Sequence, residues 1–509
     1  MNQLKAGIIL NYILIFVNIL VGLLYTPYML EMMGQSEYGL YSLVASVISY
    51  LTILDLGFGN AIVRYTAKFR AEGKQREQYE MFGMFLILYS IIGIIAFGAG
   101  WWLYQNVDTL FGATMSDYEL ERANTMMLLL IVNLTVTFPM SIFGSIITAY
   151  EHFVFAKGLN IARIILNTIV MICLLSWGYK AVAMVVVQTV FNIATLLINL
   201  LYCKYKLKIK ILFRKFQWGL LREVAIYSFW IFINIIIDRI YWSTGQFVLG
   251  AKLGTTAVAI FAVAIQLQQM FMAFSSAISG VFLPRITAMV AQGASNRDIS
   301  DLFIRVGRIQ YIVISLILFG FMVFGRAFIR LWAGEEYGEV YPITLLFFLS
   351  LSIPLIQNMG ITILQARNQM RFRVLLYLGI AIISLIAQIL LSDCYGAIGC
   401  AIAISGALVI GSGLIMNIYY HRIQHINILT FWQEIAKMSW WPILITLATH
   451  LILQRYVSLD SWLSLSLSIA IYTLLYVAGL PLFMMNSHER QTAASVAKRI
   501  ITIVTRGRV

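Results

Sequence analysis

Charged residues fall inside stretches apolar enough to span a membrane, among them Asp55, Arg64, Arg163, Asp238 and Arg239. A charge in hydrocarbon is expensive, so each should face a cavity or a partner. Arg239 carries a fork of N–H donors that suits an oxyanion; alternatively it pairs with a carboxylate on another helix. Asp238 precedes it directly, and adjacent helical residues project about 100° apart, so the two meet different groups. Asp55 stands beside Gly57 and Gly59. A desolvated carboxylate there takes up a proton or a cation, or it fixes the fold by pairing with Arg64 or Arg163. Asp55 and Asp238 are therefore the candidate ion-coupling groups. Arg64 and Arg163 are expected near the inner ends of their helices. There they snorkel to lipid phosphate or receive an anion at a cavity mouth.

Uncharged polar groups extend the set. Asn18, Asn234, Gln266, Gln269, Gln357 and Asn358 fall within apolar stretches, where they bond a ligand's hydroxyls or another helix. Trp230, Tyr241 and Trp242 flank Arg239 as packing, interface belt or stacking platform. Pro27, Pro139 and Pro354 can kink their helices, and a bend at Pro27 is a candidate gating motion. No hydrolysis motif and no P-loop is present, no catalytic set emerges, and no cofactor is called for. The four cysteines show no metal-ligand spacing; a Cys394–Cys400 bridge stays open.

The elements that position these groups are helices in lipid. The chain of 509 residues is 61% hydrophobic and 11% charged, with a mean hydropathy of +0.85. That much apolar surface has no place in a water-soluble fold. The net charge of +14 would suggest nucleic acid in a soluble protein. Here most of it sits in short loops, as the positive-inside rule requires, so nucleic acid is not an expected partner. Spanning helices need about 20 apolar residues. By that rule they fall at 6–30, 38–64, 80–104, 123–148, 159–177, 181–202, 224–250, 255–284, 306–329, 341–366, 372–392, 396–420, 438–454 and 462–484. The fold class is an all-α polytopic membrane protein of about fourteen helices, with twelve as the alternative. No loop is long enough for an extramembrane domain, which argues against a membrane enzyme of glycan assembly. Such an enzyme would need a catalytic acid cluster on the outer face. Loop charge balance accounts for Glu335, Glu336 and Glu339 more simply.

The first two six-helix groups repeat with an offset of about 220 residues. FVNIL at 16–20 matches FINII at 232–236, and Gly34 before YGLY matches Gly254 before AVAIF. GNAIVRYTA at 59–67 matches GVFLPRITA at 280–288, pairing Arg64 with Arg285. Pro139, Gly144 and Ala149 match Pro354, Gly360 and Ala366; Tyr179 matches Tyr395. A parallel repeat of this kind favours a cavity between pseudo-symmetric lobes. The expected divisions are an N-lobe (1–203), a basic cytoplasmic linker (204–222), a C-lobe (223–421), two extra helices (422–486) and an amphipathic cytoplasmic tail (487–509). In the linker, Leu207, Ile211, Leu212, Phe216 and Trp218 interleave with lysines, so it can lie flat on an anionic leaflet.

Residues 5–79 carry a resemblance to a known family. A lysine precedes helix 1, Thr26-Pro27 lies near its outer end, and Gly34-x-x-x-Tyr38-Gly39-Leu40-Tyr41 opens helix 2. Leu54-Asp55-Leu56-Gly57-Phe58 and Arg64-Tyr65 close it, with looser echoes at Asp238, Gly250 and Gly254. The chain resembles the polysaccharide-transporter branch of the multidrug/oligosaccharidyl-lipid/polysaccharide (MOP) exporter superfamily, which includes the Wzx-type flippases. The resemblance implies a MATE-like fold of two six-helix bundles around a cavity that opens alternately to either side. It implies a substrate of undecaprenyl-pyrophosphate-linked oligosaccharide, flipped across a bacterial inner membrane for surface polysaccharide such as O-antigen, capsule or exopolysaccharide. Both termini would be cytoplasmic. The oxyanion for Arg239, Arg64, Arg163 and Arg285 would then be the pyrophosphate, with Asn18, Asn234 and Trp242 toward the glycan. H+ or Na+ would couple at Asp55 and Asp238. A glycan polymerase and a chain-length regulator are the implied protein partners. A drug or cation antiporter of the same superfamily is the alternative, as is a peptidoglycan lipid-precursor flippase. Among these candidates, the three arginines Arg64, Arg163 and Arg239 against the two aspartates Asp55 and Asp238 weigh toward anions.

Overall fold

The structure is a computed structural model that describes residues 3–213, 216–279, 282–487 and 489–491. Nearly all of that chain is helix. In lipid every backbone N–H and C=O must be satisfied within the protein, and the helix does this locally.

In chain order the helices are α1 (Gln3–Met33), α2 (Gln35–Leu51), α3 (Phe58–Ala71), α4 (Gln75–Gln105) and α5 (Val107–Phe111). Then come α6 (Asp117–Ala149), α7 (Phe153–Ser176), α8 (Ala181–Leu201), α9 (Trp218–Trp242), α10 (Thr244–Leu253), α11 (Thr255–Ser279) and α12 (Leu283–Ala291). The series closes with α13 (Asn296–Ala333), α14 (Val340–Ile356), α15 (Met359–Ala366), α16 (Arg371–Leu408), α17 (Met416–Arg422), α18 (Ile428–Tyr456) and α19 (Trp462–Gly479).

Among the described residues eleven helices are long and apolar enough to cross a membrane, or thirteen if two bent pairs are each one span. One of the eleven, Arg371–Arg422, is 52 residues long. Gly396 breaks it at φ 57°, ψ −135°, a conformation open to glycine. Dividing it there brings the number into line with fourteen. Several helices outrun their apolar windows. α13 has 38 residues, about 57 Å at 1.5 Å per residue, well beyond the hydrocarbon thickness. Its polar start is held by a capping box in which Ser295 and Asp298 exchange hydrogen bonds.

The repeat is written into the backbone. Left-handed φ recurs at Gly34 and Gly254 (78° and 84°), Gly73 and Gly293 (70° and 71°), and Glu151 and Asn368 (61° and 55°). It recurs again at Gly178 and Gly396 (85° and 57°) and at Lys208 and His425 (51° and 54°), with every pair separated by 217–220 residues. Each marks a helix end or turn, so the two six-helix copies terminate their elements in the same order and at the same places.

Contacts divide the chain into two compact units, Met1–Leu267 with Arg371–Ala407, and Gln268–Met370 with Leu408–Val509. In the first unit, α9 and α10 pack on elements of the first copy. Ser49 Oγ donates to Ser243 Oγ at 2.9 Å, and Leu43 lies 2.6 Å from where a Cβ would stand on Gly250. In the second unit, α13, α18 and α19 enclose a core with Phe324, Met438, Tyr472 and Tyr476.

The basic linker is not a free surface helix. After a turn at Tyr202–Lys206 it leaves helical structure, and Leu207, Ile209, Ile211 and Phe216 pack onto the core around Phe58, Tyr65 and Phe82. Leu212 N–H donates to the Tyr79 carbonyl at 3.2 Å. The period-two alternation leaves Lys206, Lys208 and Lys210 exposed. Of the apolar residues expected to lie on the leaflet, Leu207, Ile211 and Phe216 instead turn inward onto the core, while Trp218 is 72% exposed. Arg214, Lys215 and most of the tail expected at 487–509 lie outside the described residues. Cys173, Cys203, Cys394 and Cys400 are free thiols, so the bridge left open by the sequence is not formed.

Candidate functional site

A cavity of about 690 Å³ lies within the first unit, lined by α1, α2, α6, α7, α8 and Gln266 of α11. Its walls are stripes at helical spacing. α1 contributes Asn18, Gly22, Tyr25 and Met29; α2 contributes Tyr38, Tyr41, Ala45, Ile48 and Thr52. Thr52 belongs to the turn that follows α2; α7 contributes Arg163, Asn167 and Met171, and α8 contributes Met184, Gln188 and Asn192. Steps of three and four residues bring each set onto one face of its helix.

Among the described residues, Arg163 is the only charged one in that lining. α7 begins at Phe153, so Arg163 sits ten residues, about 15 Å, along the helix. This is deeper than the apolar window placed it, because the helix starts before the window does. Among the described residues no carboxylate pairs with it. The rest of the polar lining is carboxamide and hydroxyl. Tyr41 Oη donates to Gln188 Oε1 at 3.0 Å. Asn192 Nδ2 donates to Asn133 Oδ1 and Thr137 Oγ1, both at 2.8 Å. Gln266 Nε2 donates to Thr26 Oγ1 at 2.5 Å, and Tyr25 Oη to the thioethers of Met171 and Met184 at 3.4 Å. Asn167 Oδ1 is enclosed without a partner. Preorganised donors and acceptors around one guanidinium fit a hydroxyl-rich ligand bearing negative charge.

Of the polar and charged residues singled out from sequence, this cavity brings together Arg163, Asn18 and Gln266. Asn18 Nδ2 donates to the Leu14 carbonyl at 2.8 Å, leaving its oxygen toward other uses. Pro27 lies within α1, which continues as one helix through it.

Asp55 lies at a break the sequence reading ran straight through. The span expected at 38–64 divides into α2, a 3-10 turn at Thr52–Asp55 and α3, with Leu56 and Gly57 both left-handed. Asp55 Oδ1 accepts from Tyr89 Oη of α4 at 2.9 Å. The ion pairs among the described residues do not include Asp55. Arg64 is exposed on α3 with its guanidinium 5.9 Å from the Tyr65 ring. Arg285 is exposed on α12, in the second unit.

Asp238, Arg239, Asn234 and Trp242 lie on α9, away from this cavity. Asn234 Nδ2 donates to the Trp230 carbonyl at 2.7 Å. Arg239 Nε is enclosed without a hydrogen-bond partner. Asp238 is exposed and within electrostatic range of Arg373 at the start of α16. Arg371 and Arg373 stack on Trp230 (5.8 Å) and Tyr377 (4.6 Å). Asp238 therefore meets an arginine that the sequence analysis did not single out.

Sequence reasoning missed Gln188, Asn192, Asn133, Tyr25 and Tyr41 as wall residues. The available signal was amides and phenols recurring every three or four residues in several apolar stretches. Of the other amides, Gln357 Nε2 donates to Asn417 Oδ1 at 2.7 Å, and Asn358 Nδ2 to Ser279 Oγ at 3.0 Å. Both serve helix packing in the second unit.

Residues 4–290 match a family model described as polysaccharide biosynthesis protein. No curated protein sequence matches the chain. Among solved structures it is similar to the lipid II flippase MurJ in an inward closed conformation, at 17% identity and TM-score 0.70, covering 92% of this chain and 96% of that one. It is similar to an inward-facing multidrug resistance MATE family transporter of the MOP superfamily, at 13% identity and TM-score 0.59, covering 81% and 99%. An outward-facing multidrug resistance MATE family transporter of the same superfamily is a third, at 14% identity and TM-score 0.58, covering 84% and 96%. At such identities the likeness establishes a shared fold.

Proposed function

The chain belongs to the polysaccharide biosynthesis protein family, and from that premise we propose that it is a flippase for undecaprenyl-pyrophosphate-linked oligosaccharide. The observation that carries this reading is the acid-free cavity in which Arg163 is the lone charge among amides and hydroxyls. A glycan offers hydroxyls to Asn18, Gln188, Asn192 and Asn167. Arg163 answers an anionic group on the same cargo. The lipid tail stays in the bilayer while the polar head crosses through the protein, and no bond in the cargo is made or broken.

Other assignments complete the proposal. Arg64 and Arg285 receive the pyrophosphate first, with Arg239 as a further anion contact and Asn234 and Trp242 beside it. Pro27 lets α1 bend during gating. Asp238 and Asp55 take the coupling H+ or Na+. The protein sits in the inner membrane with both termini in the cytoplasm, and delivers its cargo to a glycan polymerase and its chain-length regulator.

The test is flipping of a fluorescent lipid-linked oligosaccharide in vesicles reconstituted with the full chain. Arg163→Ala should slow flipping by about tenfold or more, the loss of one charge-assisted contact. Equal rates for wild type and Arg163→Ala would remove the assigned role. The drug-antiporter alternative requires acids to receive a cation, and this cavity has none. Protection of cells from cationic dyes by the wild-type chain would favour it instead. Equally fast flipping of a peptidoglycan lipid precursor would move the assignment to that cargo.

A further inference from the structure

A second cavity, of about 870 Å³, lies in the second unit where α13 ends and α14 begins. Leu345 and Leu349 of α14 give it an apolar wall, and Arg326 of α13 with Glu335 and Glu339 of the connection gives it charge. These charges are not spent on each other. The Arg326 guanidinium lies 5.2 Å from the Tyr341 ring, and the ion pairs among the described residues include neither Arg326, Glu335 nor Glu339. The neighbouring Arg330 is already engaged, donating to Asp460 Oδ1 at 2.5 Å and to the Leu459 carbonyl at 3.0 Å.

We infer that this groove binds a phospholipid with a phosphoethanolamine headgroup. Two membrane helices end here, so Glu335 and Glu339 in the connection lie at headgroup depth, while Arg326, seven residues inside α13, reaches up from beside the leucines at acyl depth as a snorkelling arginine does. The charges select among lipids. Arg326 matches the phosphate, and Glu335 and Glu339 accept hydrogen bonds from a primary ammonium. A trimethylammonium group has no N–H to donate to them. A headgroup with no cation brings a phosphate into a groove that also holds two carboxylates, which is repulsive. The inference stands apart from the flippase proposal, because it concerns a different cavity and does not depend on the cargo.

Native mass spectrometry of the full chain in detergent, titrated with phosphatidylethanolamine, phosphatidylcholine or phosphatidylglycerol of matched acyl chains, tests it. Wild type should bind phosphatidylethanolamine about tenfold more tightly than either competitor, the effect of one charge-assisted hydrogen bond. Glu335→Gln with Glu339→Gln should bring phosphatidylethanolamine down to the phosphatidylcholine level. Arg326→Gln should weaken both lipids together. Equal binding of the three lipids by wild type would overturn the inference. So would tighter binding of phosphatidylglycerol, or a preference unchanged in the double variant. These side chains are exposed, and an unchanged melting temperature for each variant confirms that the comparison reads binding.

Discussion

The Tyr89 hydroxyl donates to Asp55 Oδ1 at 2.9 Å, and so ties the break between α2 and α3 to the middle of α4. Tyr89 is fully buried. Leu56, next to Asp55, holds a left-handed φ of 53° that a non-glycine residue adopts at a cost. The bond holds that turn in place. Tyr89→Phe should therefore destabilise the chain by about 1–3 kcal/mol, the range for a buried polar group left unsatisfied. Asp55→Asn keeps an acceptor for Tyr89 and should melt closer to wild type. Thermal melts in detergent read the anchor. Transport against an imposed H+ or Na+ gradient in Asp55→Asn reads the coupling role separately.

In the amide-lined cavity, Arg163→Ala and Arg163→Lys should part ways. A lysine keeps the charge but loses the bidentate fork. We expect the alanine variant to lose flipping by about tenfold or more and the lysine variant to fall between it and wild type. Because Arg163 makes no ion pair among the described residues, both should melt within about 1 kcal/mol of wild type. A large loss of stability in both would mark Arg163 as structural.

Arg308 in α13 is only 5% exposed and binds two acids. Its guanidinium lies 2.7 Å from Glu434 of α18 and 2.8 Å from Glu489, and donates to the Met484 carbonyl at 2.9 Å. Arg308→Ala takes the shared guanidinium from both carboxylates, although Glu434 keeps Lys437 at 2.7 Å, and should destabilise the chain by about 3–5 kcal/mol. Arg308→Met combined with Glu434→Gln and Glu489→Gln should recover much of that. Melting temperatures of the single and triple variants decide it.

Gly93 of α4 faces the backbone of α6. A Cβ there would stand 2.9 Å from the Thr135 carbonyl oxygen, and a helix backbone does not give way as a side chain does. Gly93→Ala should separate the two helices and destabilise by about 1–3 kcal/mol, the range for overpacking. Gly98, on the same helix with open space where its Cβ would project, is the control: Gly98→Ala should be neutral or stabilising.

The sequence by itself determined the class of molecule, its solvent and its repetition. Hydropathy over windows of about 20 residues fixes which segments enter lipid. The spacing of Gly34 and Gly254, or of Tyr179 and Tyr395, fixes that two copies exist, and the left-handed turns at equivalent positions follow it. These properties are local or periodic, so a linear reading reaches them. The Asp55 break was harder. Leu54-Asp55-Leu56-Gly57 reads as apolar helix until a buried tyrosine on another helix is there to fasten the turn.

Tertiary structure alone decided which polar groups converge. Arg163 and Arg239 are alike in sequence, one guanidinium in one apolar stretch. Periodicity places each on a face of its own helix but says nothing of what that face meets. Packing turned Arg163 toward Gln188, Asn192 and Asn18, and kept Arg239 on a different helix, beside Asp238 and apart from them. It also drew the linker's leucine and isoleucines onto the core and left the lysines outside. The rotation of one helix against another is set by close contacts such as Gly250 on Leu43, between residues more than 200 positions apart. A contact of that kind has no signature in the local pattern of either segment.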